Sequence, residues 1–350
     1  MAIDVTIRGA GVFGLCIAYE CARRGARVRV IDPAGVAAGA SGGVVGALSP
    51  HAPDDWDRKK QFQFDSLLLA EGFWAGVSQV SGLATGYGRT GRLQPVPVGG
   101  LDLARARSLA AEINWQEAAR WQVIPAGDWG PCSATGLQVQ DDLSARIRPK
   151  AACLALAEAI RVLGGAVVAG PGAPQPAAAG AVIWATGTAG LEDLSRDLSC
   201  PIGRGEKGQA ALLRFDAPGR PQIMADGVHI VPHDNGTLAI GSTSERWFED
   251  QAVDQRLDLL LARAVAIVPA LGMAEVLCRW AGLRPRSASR QPVLGPWPRR
   301  PGEFVANGGF KIGFGIAPKV AQVLADLVLE GRDLVPAGMR VEDCQRAARS

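Results

Sequence analysis

The chain has 350 residues, 48% of them hydrophobic, enough to bury a large core in two domains or one elaborated domain. Its 37 basic and 34 acidic side chains leave a formal charge of +3, too near balance for a general nucleic-acid surface. The seven cysteines are odd in number and contain no Cys-x-x-Cys pair, which speaks against a zinc ribbon or a disulfide framework.

The first predicted strand, Val5-Thr6-Ile7-Arg8, runs into Gly9-Ala10-Gly11-Val12-Phe13-Gly14. Val12, Leu15, Ala18, Tyr19 and Ala22 then recur at helical spacing until Gly25 stops the helix. A second strand, Val28–Ile31, ends on Asp32, 18 positions after Gly14 and near the spacing of about 20 residues at which an acid reaches a ribose. Each glycine has a role in holding a dinucleotide. Gly9 makes the tight turn, Gly11 admits a pyrophosphate, and Gly14 lets the helix pack close to the strand. The helix N-terminus supplies free N–H groups to the phosphates.

A small-residue run follows, Gly39-Ala40-Ser41-Gly42-Gly43-Val44-Val45-Gly46-Ala47-Leu48, too glycine-rich for a helix interior and suited to backbone lying against a ligand. Residues 58–80 read as an amphipathic helix. Short strands and turns fill 86–140, with a helix near 102–120. Another helix starts at Arg148-Pro149, and the strand Ala166-Val167-Val168 follows it. A Pro/Gly/Ala-rich loop, 170–180, leads to the strand Ala181–Ala185 and Thr186-Gly187. Strands return over 202–280, with a helix near 251–268. The chain closes with the strand Phe304-Val305-Ala306, a glycine loop, and a helix expected from Pro318 to Glu330. No uncharged apolar run reaches transmembrane length, and no basic-then-apolar leader precedes the first strand, so the expectation is a cytoplasmic protein with no membrane partner.

The pattern is interleaved. It predicts an α/β protein with a Rossmann-like dinucleotide-binding domain from 1–85, 145–200 and 281–350. A mixed-sheet α+β substrate domain from 86–144 and 201–280 is inserted into it.

Four segments together resemble the FAD-dependent D-amino-acid oxidase superfamily, the group of glycine oxidase and monomeric sarcosine oxidase. They are Gly9–Gly14 with Asp32; Ala40-Ser41-Gly42 through Ala47; Trp184-Ala185-Thr186-Gly187; and the set Ala281-Gly282-Leu283-Arg284-Pro285, Gln291–Gly295 and Asn307-Gly308-Gly309-Phe310-Lys311-Ile312-Gly313. The resemblance implies FAD held by Gly9, Gly11, Val12, Phe13, Gly14 and Asp32. It adds Ala40, Ser41, Gly42, Gly46, Ala47, Leu48 and Val168, then Ala185, Thr186 and Gly187, and last Gly309, Phe310, Lys311, Ile312 and Gly313. Most relatives carry Glu where Asp32 stands. Gly282 takes the place of the cysteine that binds FAD covalently in sarcosine oxidases, so non-covalent FAD is expected. Only Tyr19 and Tyr87 are present in a family that often uses active-site tyrosines.

The resemblance further implies oxidation of a small amine or amino acid at its C–N bond, with hydride transfer to flavin and no strong protein base. The chain's own work is then to place the C–H bond and exclude water. Arg284, with its planar fork, is the first candidate to anchor a substrate carboxylate, and Lys311 the second. His51, just after the small-residue run, is a candidate to face the flavin, with a structural histidine as the alternative. His229 and His233 lie four apart on a predicted strand, about 13 Å from each other at ~3.3 Å per residue, so no metal site is expected. The roles of Lys207, Arg286 and Arg290 stay open, as do the electron acceptor and the oligomeric state. Alternative readings are an oxidase domain acting on a glycine-like modified tRNA uridine, a non-catalytic or electron-transfer flavoprotein subunit, and an NAD-dependent dehydrogenase.

Overall fold

A computed structural model describes residues 2–349. Two large sheets organise it. The first has six strands in the order Val293–Pro296, Glu303–Asn307, Ala181–Trp184, Val5–Arg8, Val28–Asp32 and Ala166–Ala169. All neighbours are parallel except the edge pair Val293–Pro296 and Glu303–Asn307. The first helix, Val12–Arg23, is buried on every side from Val12 to Ala22. The single apolar stripe expected from its sequence understates this. Helices Pro149–Val162 and Gly313–Glu330 pack on it as well as the sheet does. Its buried Glu20 is met by Arg24, which also reaches Asp326 at 2.7 Å and Glu330 at 2.9 Å, tying the first helix to the long C-terminal one.

The second sheet has eight strands: Glu275–Ser287, Gly203–Arg214, Thr237–Gly241, Val228–Pro232, Gln222–Ala225, Arg92–Pro95, Leu137–Asp141 and Trp121–Pro125. Its two faces differ in chemistry, and register shows how. One transverse row reads Ala211, Ile240, Ile230, Ile223, Leu93. All five are buried in a core closed by helix Gln255–Ile267. One residue along, the opposite face reads Trp280, Ala210, Gly241, His229, Met224. Strand alternation forces this split, since successive side chains point to opposite faces. The second row faces the six-stranded unit. A two-stranded ladder, Ala47–Leu48 with Ala145–Arg146, joins the two units.

Some sequence expectations shift. The strand Glu275–Ser287 runs unbroken through residue 281, so residues 281–287 pair in the eight-stranded sheet and the domain limit read there falls inside one strand. The last long helix starts at Gly313, and Pro318 lies inside it. Gly313 and Gly315 read as loop residues, yet they lie in the first turn, where a Cβ would meet Val12 at 3.8 Å and Leu67 at 3.6 Å, ordinary contact distances that do not demand glycine. A terminal helix, Val341–Arg349, carries too few apolar residues to announce itself, but it buries Val341 and Cys344. Among the described residues no helix is long and apolar enough to cross a membrane.

Candidate active site

The glycine segments far apart in sequence meet at the end of the parallel strands. Gly9 has φ +109°, and a Cβ there would overlap the Ala185 carbonyl. A Cβ on Gly14 would overlap the Gly9 carbonyl, so this glycine sets the helix against its own turn. Gly11 caps the helix without a side chain, and Ser41 stands over it: its Oγ accepts from Val12 N at 2.9 Å and lies 3.2 Å from where a Gly11 Cβ would be. Ala37 N donates to Ala10 O at 2.9 Å, and a Cβ on Gly42 would overlap Ala37 O, fixing the Ala40–Gly42 turn to the first loop. From the other end of the chain, a Cβ on Gly309 would lie 2.9 Å from the Phe13 ring. Phe310 N donates to Pro285 O at 3.1 Å, linking that loop to the mixed sheet.

Asp32 closes the same turn. Its Oδ2 accepts from Ala10 N at 2.8 Å and its Oδ1 from Ala34 N at 2.9 Å. The carboxylate thus organises the loop, and each oxygen keeps a lone pair for a further donor. Thr186 caps helix Gly187–Asp197, but its Oγ1 is buried and bonds to nothing in the protein. Val168 pairs beside Ile31 on the strand next to that of Asp32 and is half-buried. Gly46 abuts the Ile147 carbonyl, and Ala47 and Leu48 form the joining ladder.

The small-residue run also reaches across to the mixed sheet. Val45 packs into the space that a Gly241 side chain would fill. The Trp280 ring lies 3.4 Å from where a Gly43 Cβ would be. The row Trp280, Ala210, Gly241, His229 therefore forms a wall facing the glycine loops.

Arg284 lies on this wall, buried, opposite Glu206 on the neighbouring strand. Gly208 makes room for it, since any Cβ there would overlap the guanidinium. Its Nη1 donates to Ser242 Oγ at 2.6 Å, and its Nη2 donates to the carbonyls of Thr243 and Lys207. Both Nη2 hydrogens are engaged, so the two-pronged grip expected from sequence is not offered as the side chain stands. Nε, also buried, has no partner. Burial pulls the Arg284 pKa down, opposed by Glu206 and Glu245. Lys311 is likewise pulled down, by burial first and then by Arg284. Phe310 carries three cations around its ring: Arg286 at 5.1 Å, Arg284 at 5.5 Å and Lys311 at 5.6 Å. Arg286 is neutralised by Glu206, whereas among the described residues no carboxylate is in salt-bridge contact with Arg284 or Lys311.

The other candidates are engaged within the protein or exposed. The Nδ1 of His51 is engaged by Gln63 Oε1, which also accepts from His51 N at 2.9 Å. Burial and then Lys59 lower its pKa. Lys207, fully buried, bonds to Asp254 at 3.1 Å beside Glu245 and Asp250, and so ties the segment after Thr243 to its strand. Arg290 is exposed in a turn. Gly208, Ser242 and Trp280 give no signal in the sequence, which weighs His229 only as a metal ligand. For His229 a signal existed: apolar Val228 and Ile230 flank it, which turns it to the opposite face of its strand.

The sequence model of the family described as DAO, FAD dependent oxidoreductase, matches residues 4–327. The chain belongs to this family. It is 29% identical over 353 residues to the bifunctional protein ThiO/ThiG of Synechocystis sp., an alignment covering 93% of the chain and 52% of that protein. It thus spans about half the length of the first curated relatives it matches. It is 26% identical over 356 residues to the glycine oxidase of Bacillus licheniformis, with 93% of each covered. Its fold is that of the crystal structure of glycine oxidase from Geobacillus kaustophilus, with a TM-score of 0.83, 24% identity and coverage of 97% and 98%. The family's FAD fits the residues present. The glycines of the first turn leave backbone bare at a helix N-terminus, and the unpartnered Thr186 hydroxyl lies on the next strand's exit.

Proposed function

We propose that this chain is an FAD-dependent enzyme that oxidises the C–N bond of a small amine or amino acid of the glycine or sarcosine type. The observation that carries this reading is the wall. A polar, glycine-lined sheet face holds a buried, carboxylate-free Arg284 against the loops that the family uses for FAD. Similarity to glycine oxidase of Bacillus licheniformis over nearly the whole of both chains supports it.

FAD, held non-covalently by the first turn, Ser41, Thr186 and the Gly309–Gly313 loop, supplies a two-electron acceptor for the hydride on the carbon beside nitrogen. The protein's residues do the positioning. Arg284 Nε–H and the Lys311 ammonium draw the substrate carboxylate to the wall. The same cations disfavour an ammonium nearby and so favour the uncharged amine. Trp280 and Val45 fill the space between wall and loops and keep water out. A screen of glycine, sarcosine, proline and D-amino acids for anaerobic bleaching of the yellow holoenzyme tests the reading. Bleaching by at least one is expected; none bleaching, with dithionite still reducing the flavin, overturns it.

A further inference from the structure

His229 carries more than the wall position described so far. Its Nδ1 is buried with no hydrogen-bond partner among the described residues. A buried nitrogen left unpaired is costly, and a ligand that bonds to it recovers that cost. The charged groups that act on the ring come from three elements: Arg92 of strand Arg92–Pro95, itself bonded to the Asp141 carboxylate at 2.8 Å, Arg284 of strand Glu275–Ser287, and Lys311 of the loop before helix Gly313–Glu330. Its cross-strand neighbours Gly241 and Met224 add no charge. Burial, followed by Arg92, Lys311 and Arg284, pushes the imidazole down to about 4, so it is neutral in the ligand-free enzyme. Arg284, meanwhile, offers only part of its fork, because Ser242, Thr243 and Lys207 hold its ends.

An anion on this wall changes the balance. A carboxylate at Arg284 and Lys311 offsets two of the cations that act with burial and Arg92 to keep the ring neutral, and it accepts a hydrogen bond from the protonated ring, which favours the charged form. Resting on the proposed amine-oxidising reading, we propose that His229 is a substrate-contacting residue that takes up one proton from solvent when a carboxylate binds and donates to that carboxylate beside Arg284 and Lys311.

The test uses holoenzyme and methoxyacetate, which places an ether oxygen where sarcosine has nitrogen and so has no C–N bond to oxidise. Affinity is read from the change in flavin absorbance between pH 5 and 8. Because the complex holds the extra proton, affinity is highest at low pH and falls as pH rises, by up to tenfold per unit. The wild type is expected to lose at least about tenfold across this range, and His229→Gln, which keeps a donor but cannot titrate, to lose less than twofold. Parallel profiles overturn the proposal. Should the variant fail to hold FAD, calorimetry of the wild type at pH 6 in two buffers of different ionisation enthalpy decides, zero proton uptake overturning it. Bleaching by an amine with pH-independent methoxyacetate binding defeats only this proposal; proton-coupled binding with no bleaching defeats only the proposed reaction.

Discussion

The two sheets contribute to the site in different ways. The six-stranded, mostly parallel sheet offers backbone: glycines with no side chain, a helix N-terminus, and one carboxylate that ties its own loop. The eight-stranded sheet offers side chains, brought together by strand register from positions 208, 229, 241, 280 and 284. A backbone cradle tolerates few substitutions and fixes the cofactor type. A wall of side chains can change from residue to residue while its sheet persists, so on the proposed reading it is where substrate choice would be set.

Substitutions separate these contributions. The largest kinetic effect is expected at the wall. Arg284→Met removes a buried charge-assisted contact of ~2–5 kcal/mol, which raises KM for a carboxylate substrate roughly 30-fold or more while FAD stays bound. Unchanged steady-state kinetics would take Arg284 out of the site. Gly208→Ala tests the same anchor indirectly. Its new Cβ displaces the guanidinium, and a KM rise of about tenfold is expected with bound FAD unaltered. An unaltered KM would show that the guanidinium finds an equivalent place. The smallest effect is expected at a single cradle hydroxyl. Thr186→Val deletes a hydroxyl with no partner in the protein, so apo-protein Tm should hold or rise while the Kd for FAD weakens about fivefold, as one hydrogen bond predicts. Equal FAD affinity would make that hydroxyl a bystander.

The same contrast governs what the sequence discloses. Gly9, Gly11, Gly14 and Asp32 are legible because their work is local: turn, cap and loop lie within one strand-helix-strand unit, and their spacing is their geometry. Arg284 and Lys311 are legible only through a resemblance. Gly208 is silent, since its purpose is to make room for a side chain 76 positions away on the paired strand. His229 shows its face by alternation, but nothing local tells which face meets the glycine loops. That depends on pairing across five strands. The last helix starts earlier than local propensity predicts: Gly313 and Gly315 count as breakers, yet both lie in the first turn of helix Gly313–Glu330, whose flanks are packed by the rest of the fold.

The account rests on the first turn and the Gly309–Gly313 loop enclosing the same FAD. The direct measurement is FAD content per chain, read from the absorbance of flavin released by denaturation and filtration. The wild type should yield one FAD per chain, all of it filterable. Gly9→Val, which meets the Ala185 carbonyl, and Gly309→Leu, which meets the Phe13 ring from the other end of the chain, should each yield almost none while remaining folded by far-ultraviolet circular dichroism. Full FAD retention by either folded variant would contradict the account.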